Sequence, residues 1–281
     1  MVSTIQPFGG VPSVYSCDFR EDEFRQPHEN FKYRKNAMIP DLRKALIDLI
    51  FPPECSFCAE TLSSSSQHFL CSRCSSEIMS ESTRRFCFAC GIFLPNSTEL
   101  PNCPECKKRQ FRFDRVLPLG QYGDELRNVV IRLKNSSQFP LARSIGGLLA
   151  EHVYRHTEEN VPDLAIPIPK YWLKRMRSGV NSAEMLANEI AGKLDIPCFP
   201  KAIKWTRYIR KQSLLSVYDR QRNVRNAISV SKGYNFNETH VLLVDDTMTT
   251  GATANEAARV LQKAGAKRIT VCVVARALDY Q

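Results

Sequence analysis

Two adjacent carboxylates, Asp245 and Asp246, follow four apolar residues, Val241-Leu242-Leu243-Val244, and precede a small, hydroxyl-rich loop, Thr249-Thr250-Gly251-Ala252-Thr253. Each part suits a different piece of one ligand. A glycine lets the backbone approach closely, and threonine hydroxyls add donors. Where such a loop opens a helix, the free N–H groups and the helix dipole favour a phosphate. Carboxylates do not bind phosphate directly. They suit ribose hydroxyls, or a hard cation such as Mg²⁺ that takes oxygen ligands. Together these residues describe a site for a sugar 5′-phosphate whose hydroxyls are held by acids. No Walker-type Gly-Lys-Ser/Thr loop and no dinucleotide-type glycine fingerprint after a strand is present, so other nucleotide loops lack support.

A second set of residues has metal-ligand spacing. Cys55, Cys58, Cys71, Cys74, Cys87, Cys90, Cys103 and Cys106 form Cys-x-x-Cys four times, with twelve residues between successive pairs. Each pair can place both sulfurs on one ion in a tight knuckle, and two knuckles complete a tetrahedral site of four thiolates. Eight cysteines therefore support about two structural Zn²⁺ ions. Four thiolates leave no open coordination position, which argues against catalytic zinc. Sequential pairing gives two successive ribbons; an interleaved arrangement is the alternative. Iron–sulfur ligation fits the spacing less well. Cys17, Cys198 and Cys272 stand alone, and Cys272 falls in an apolar run that reads as core.

The elements that position the acids follow from pattern. Val241 to Val244 is a short continuous apolar run, as in a buried strand of a parallel sheet. Thr253 with Glu256 reads as a capping box, Ala257, Val260, Leu261 and Ala264 as a helical apolar face, and Gly265 as the stop. Ile269 to Ala275 is the next buried strand. Helical periodicity spans Asp124–Leu133 and Leu141–Tyr154. Leu164 to Pro169 reads as a strand followed by a cationic loop with Lys170, Lys174, Arg175 and Arg177, and then by a helix capped by Asn181 with Glu184. That loop suits a pyrophosphate or is simply solvated. Lys201 to Arg225 is a second basic segment, with Arg207, Arg210, Lys211, Gln212, Arg220 and Arg222. It reads as an arm over a polyanion or as a surface for nucleic acid. The basic and aromatic residues around the cysteines, Arg84, Arg85, Lys107 to Arg109, Arg112, Phe86, Phe88, Phe111 and Phe113, serve solubility and a small core, or contact bases.

The chain has 281 residues and a net charge of +10, from 39 basic and 29 acidic side chains. The charge suits anionic ligands without choosing among them. Length allows about two domains. Residues 1–40 read as a poorly ordered extension, 41–115 as a short helix from Asp41 followed by a double zinc ribbon, and 116–281 as an α/β domain. No apolar run reaches the length of a membrane span and no secretory signal pattern opens the chain, so a cytoplasmic location is expected. In that setting cysteines serve metals more often than disulfides.

Four apolar residues, Asp-Asp, two residues and Thr-Thr-Gly-x-Thr resemble the phosphoribosyl-pyrophosphate (PRPP) signature of type I phosphoribosyltransferases. From about Leu42 to Arg276 the whole arrangement resembles the ComF family, the phosphoribosyltransferase-like proteins associated with DNA uptake and competence. The carriers are a Pro-Pro-x-Cys opening, the cysteine ribbon, Pro167-Ile-Pro169, Arg177-Ser-Gly-Val-Asn181, and Gln212 to Ser216 through Arg220 to Asn223. The family commonly shows Arg-Gly-Phe-Asn-Gln where this chain has Ser178, Gly179, Val180, Asn181 and Ser182. The resemblance implies a mostly parallel sheet with flanking helices after a zinc ribbon. It implies PRPP or a phosphoribosyl nucleotide as ligand, with Mg²⁺. Asp245 and Asp246 would serve the ribose, Thr249 to Thr253 the 5′-phosphate, and Lys170, Arg175 and Arg177 the pyrophosphate. Single-stranded DNA and DNA-uptake proteins are the implied partners. Thr249 stands where some purine-salvage relatives carry an acid, which disfavours purine salvage.

Overall fold

The computed structural model describes residues 52–62, 69–95, 103–135, 138–170, 181–209 and 217–277. Several expectations lie outside them: the N-terminal extension, the helix at Asp41, Cys17, Lys174, Arg175, Arg177, Arg210, Lys211 and Gln212.

Four parallel strands make the central sheet, in the order β1-β6-β5-β2. They are β1 (Arg115–Gln121), β2 (Leu164–Pro167), β5 (His240–Met248) and β6 (Arg268–Arg276). The two prolines inside strands, Pro118 and Pro167, fall on β1 and β2, the edge strands. A residue without an N–H is tolerated there and not at the centre. Strand β5 is central and apolar on both faces. Leu242 and Val244 enter the core cluster with α3 (Asp124–Leu133), α4 (Phe139–Thr157) and α5 (Ser182–Leu194). Val241 and Leu243 enter the other cluster, with α7 (Ala252–Lys263). Strand β6 divides likewise, Cys272 and Val274 to one side and Val271 and Val273 to the other. This two-sided burial is why both strands read as unbroken apolar runs rather than alternating ones. Cys272 is fully buried, and burial pushes its thiol up.

The basic segment after Lys201 is folded where it is described. Strand β3 (Ile203–Trp205) pairs antiparallel with β4 (Ile228–Val230), and α6 (Val217–Val224) lies between them in sequence. Both α6 and β4 pack against α7.

The cysteine-rich region carries α1 (Ser72–Ser82) and the one-and-a-half-turn α2 (Pro104–Lys108), and it shares one compact unit with the sheet. Cys55, Leu62, Leu70, Cys74, Ile78 and Phe86 belong to the same core cluster as Leu117 and Leu119 of β1. Gly120 makes this approach feasible: a Cβ there would stand 2.6 Å from the Cβ of Glu81 on α1 and 2.4 Å from Leu126. Gly120→Ala should therefore destabilise the chain by about 1–3 kcal/mol through overpacking, read as a lowered denaturant midpoint with an unchanged m-value.

Behind Phe86 sits His152, fully buried on α4 with its ring 4.4 Å from that of His156 and 6.0 Å from that of Phe86. Burial pushes the His152 pKa down to about 3, and burial likewise brings His240 at the start of β5 to about 4. Both folded values lie below the unfolded value of about 6.5, so the unfolded chain takes up protons first. Stability is then complete above about pH 6.5 and falls as pH drops toward 3–4, by at most about 1.4 kcal/mol per pH unit for each histidine. His152→Phe, which cannot titrate, should flatten this fall in melting temperature between pH 6.5 and 4; parallel curves for wild type and variant would contradict it.

Candidate functional site

The chain's period of two carries past the apolar part of β5 and decides where the acids go. Asp245 continues the α7 side and Asp246 the α5 side. The contacts agree: Ser182 Oγ, at the first residue of α5, donates to Asp246 Oδ2 at 2.7 Å. Thr247 Oγ1 donates to Asp246 Oδ1 at 2.8 Å, and the Asp246 N–H donates to Asp245 Oδ1 at 2.8 Å. Both carboxylates are half-buried at the carboxyl end of the sheet's central strand. Neutral donors thus orient the Asp246 carboxylate, and both acids keep part of their surface exposed.

The loop that follows turns at Gly251, whose φ of 74° and ψ of 6° lie in the left-handed region. That conformation favours glycine. A Cβ there would also meet Met248 and the Phe111 ring, each at 3.4 Å. Helix α7 starts at Ala252 with Gly251 as its N-cap, not Thr253. Glu256 does not close a capping box. It pairs with Arg259 at 2.6 Å, an i,i+3 partner of opposite charge that competes for the carboxylate. The local cap comes instead from Thr250, 2% exposed, whose Oγ1 accepts from the Ala252 N–H at 3.2 Å. Thr249 to Gly251, with Ala252 and Thr253 opening α7, therefore stand beside the acids at a helix N-terminus, as an anion site requires.

Strand β2 delivers a third part to the same edge. Its pairing with β5 is parallel and sets Pro167 opposite Val244, and the Ile168 N–H donates to Val244 O at 2.8 Å. Lys170, two residues on, is half-buried at this edge. Asn181 does occupy the N-cap of α5, but its side chain makes no cap hydrogen bond there; Nδ2 donates to Ile168 O at 3.4 Å and ties the helix start to the end of β2. Arg207 is exposed, yet its guanidinium donates to Tyr208 O at 3.2 Å, Asn223 O at 3.0 Å and Arg225 O at 2.8 Å. It staples the end of α6. Arg220 is half-buried and Arg222 exposed on the same helix.

The cysteines form two clusters with sequential pairing, Cys55/Cys58/Cys71/Cys74 and Cys87/Cys90/Cys103/Cys106, the sulfurs of each lying within 4.8 Å of one another. Cys58 and Cys71 sulfurs are 3.7 Å apart, and Cys87–Cys106 and Cys90–Cys103 are each 3.6 Å apart. Zinc–thiolate bonds of about 2.3 Å in a tetrahedron require sulfur separations of about 3.8 Å, so the donors fit Zn²⁺ with all four positions filled. The backbone anticipates negative sulfur in the first knuckle. Burial raises the Cys55 thiol, but the N–H groups of Cys58, Cys71 and Phe57 outweigh it and hold the pKa at about 6. Burial pushes Cys90 far up, so that four thiolates there demand a cation.

Three contributors carried weak signals in the sequence. Ser182 looks like an ordinary first-turn serine. Arg276 closes an apolar strand, yet it is 3% exposed and donates to Cys90 O at 2.9 Å, Met248 O at 3.0 Å and Thr249 O. Arg109 donates to Thr250 O at 3.4 Å.

Purified protein should contain about two zinc ions per chain. Cys58→Ser or Cys106→Ser should each lower this to about one, measured by elemental analysis; a chain with no zinc and eight titratable thiols would refute the ligand assignment.

Two domain families match the chain, the double zinc ribbon domain over residues 46–110 and the phosphoribosyl transferase domain over residues 180–281. Competence protein F of Haemophilus influenzae is 33% identical over 212 residues, covering 74% of this chain and 90% of its own. DNA utilization protein YhgH of Escherichia coli K12 is 28% identical over 212 residues, covering 74% and 91%. Among solved structures, the purine phosphoribosyltransferase from Pyrococcus horikoshii is similar over 48% of this chain and 79% of its own, at 20% identity and a TM-score of 0.31. With both domains present in order, and this identity to competence protein F over most of both chains, the chain belongs to the ComF family, in which a double zinc ribbon precedes a phosphoribosyl transferase domain.

Proposed function

We propose that the chain binds PRPP, or the phosphoribosyl part of a nucleotide, at the carboxyl end of β5, and transfers the phosphoribosyl group with release of pyrophosphate. One observation carries this reading: Asp245 and Asp246 lie near the carboxyl end of the doubly buried strand β5, which leads into a glycine-turned loop at a helix N-terminus. Thr249 to Thr253 take the 5′-phosphate. Asp246, oriented by Ser182 and Thr247, and Asp245 take the ribose hydroxyls. The same two negative charges favour the positive charge that develops on the ribose ring as the bond from C1 to the pyrophosphate oxygen breaks and a bond from C1 to the acceptor nucleophile forms. Lys170, with the basic residues Arg175 and Arg177 that follow it in sequence, takes the pyrophosphate. Mg²⁺ bound with the pyrophosphate supplies charge neutralisation of the leaving group. Holding sugar and phosphate separately positions C1 for attack. Thr249 places a hydroxyl where an acid would serve a purine base, so acceptors other than purine bases are favoured.

Calorimetry with Mg·PRPP should show binding by the wild type and at least a tenfold loss in Asp245→Asn/Asp246→Asn. Ser182→Ala should weaken binding by about 1–2 kcal/mol, roughly 5- to 30-fold, since it removes a donor to an ionised group. Unchanged affinity in the double variant would overturn the assignment. A screen of amines and bases for pyrophosphate release then identifies the acceptor.

A second reading draws on the net charge of +10 and on relatives named for competence and DNA utilization. In it the chain handles single-stranded DNA and uses the phosphoribosyl site for ligand sensing or for a strand terminus. Arg222, exposed on α6, and the basic residues Arg210 and Lys211 contact the strand's phosphates. Arg207 is a poor choice for charge reversal, because its donors already hold three carbonyls. Affinity for an oligonucleotide should fall steeply with salt, and each phosphate contact removed by Arg222→Glu or Lys211→Glu should reduce the log–log slope by about 0.7. No affinity at low salt leaves the transferase reading alone.

A further inference from the structure

The second thiolate cluster and the phosphate loop share one buried guanidinium. Arg276 is the last residue of β6, in register with Met248 of β5 on one side and Gln121 of β1 on the other. Its side chain runs toward the cysteine-rich region. Nε donates to the carbonyl of Cys90, one of the second cluster's ligands, at 2.9 Å. Nη1 donates to Met248 O at 3.0 Å, to Thr249 O, and to Ala277 O at 2.6 Å. A charged group that is 3% exposed is tolerated only if its donors are filled. Here Nε and Nη1 are engaged from two sides, by a knuckle whose shape depends on its metal and by the turn that opens the phosphate loop.

Further links run in parallel. Arg109, three residues after Cys106, donates to Thr250 O at 3.4 Å. The Arg112 N–H donates to Asn255 Oδ1 at 2.6 Å, and Gln262 Nε2 donates back to Arg112 O at 2.7 Å. The stretch from Arg109 to Arg112 is thereby tied to α7 and the loop before it.

We propose that Arg276 is a positioning residue: it couples the second metal knuckle to the orientation of the loop amides at Thr249, Thr250 and Gly251. This rests on reading that loop as the phosphate site. In a trans peptide the N–H points opposite to the C=O. Arg276 draws the carbonyls of Met248 and Thr249 to its own side, and Arg109 draws that of Thr250. The N–H groups of Thr249, Thr250 and Gly251 are therefore turned away from the guanidinia. Three consecutive amides aimed together make an anion-binding concavity. Loss of the second ion frees the Cys90 carbonyl, and the buried guanidinium must then shift or lose a partner. Either outcome releases the Thr249 carbonyl, whereas Met248 O keeps the Ala277 N–H at 2.9 Å. The first cluster has no such connection among the described contacts: its carbonyls at Ser56 and Phe57 are held by Arg132 of α3.

Hydrogen exchange resolved at residues 249–253 tests this without any ligand. Arg276→Lys keeps the charge but cannot span both partners, because a point-like ammonium lacks the planar fork. With its zinc retained, that variant should exchange at these amides at least tenfold faster than wild type. Cys90→Ser should do the same, and Cys58→Ser, in the first cluster, should not. Mg·PRPP affinity should fall about tenfold in the first two variants and stay near wild type in the third. Loop exchange at the wild-type rate in Cys90→Ser, with the second ion shown to be lost, would overturn the proposal; so would equal acceleration in Cys58→Ser. Should Arg276→Lys fail to fold, Cys90→Ser against Cys58→Ser decides alone. Absence of PRPP binding by the wild type strikes the phosphate-site reading, while the exchange comparison still decides the coupling.

Discussion

Strand β5 is hydrogen-bonded on both edges and covered on both faces, and the rest of the site depends on that confinement. A strand in this position has no freedom of register, because a slip of one residue would turn Val241 and Leu243 into the α5 side and Leu242 and Val244 into the α7 side. The acids inherit the same certainty. Asp245 and Asp246 lie one and two residues beyond Val244, where the continuous buried run of β5 stops, and still within the strand, so their separation to opposite faces is set by the sheet rather than by the loop. A loop-borne pair would need its own supports to reach comparable precision.

The cysteine-rich region solves a different problem. The sheet ends in two edge strands, each of which exposes backbone groups that invite pairing with another chain. On β2 the outer edge is met by the segment at Cys198: the Ala165 N–H donates to Pro197 O at 2.9 Å, and the Phe199 N–H donates to Ala165 O at 2.9 Å. On β1 the cover comes from the second knuckle, where the Val116 N–H donates to Phe88 O at 2.7 Å, and from α1 lying over Gly120. A module this small lacks a core of its own and needs either metal or a neighbour. Here it uses both: its apolar residues complete the cluster around Leu117 and Leu119.

How much of this was legible in the sequence depends on where the determining physics lies. The strand, loop and helix from His240 to Lys263 were legible because burial on two faces and a glycine turn leave local marks, as were the four cysteine pairs. Their pairing was not, since Cys-x-x-Cys repeated at constant intervals permits sequential and interleaved sites alike; the sulfur separations decide it. Strands β3 and β4 span three residues each, too short for any period to stand out from the lysines and arginines around them. Thr253 with Glu256 satisfies the capping pattern, yet the helix starts at Ala252, one residue before Thr253, because the left-handed turn at Gly251 and the Thr250 hydroxyl already cap it. Ser182 and Arg276 carried only weak signals for a third reason. Their partners, Asp246 and Cys90, are 64 and 186 residues away in the chain, and only the tertiary fold makes them neighbours.

The two clusters therefore stand in different relations to the chemistry. The first is fastened to the helical face, where Arg132 donates to Ser56 O at 2.7 Å and Phe57 O at 2.5 Å, and its sulfurs share a core with β1. Its loss would cost packing. The second forms a small cluster of its own with Ile92, Leu94 and Phe111, and Phe111 in turn touches the space beside Gly251. Apolar contact is nondirectional and would tolerate a shift of the knuckle; hydrogen bonds from a planar guanidinium to carbonyls on both sides would not. Among the described contacts, directional bonds run from the second knuckle to the loop and not from the first, so the proposed coupling runs along the second half of the double ribbon.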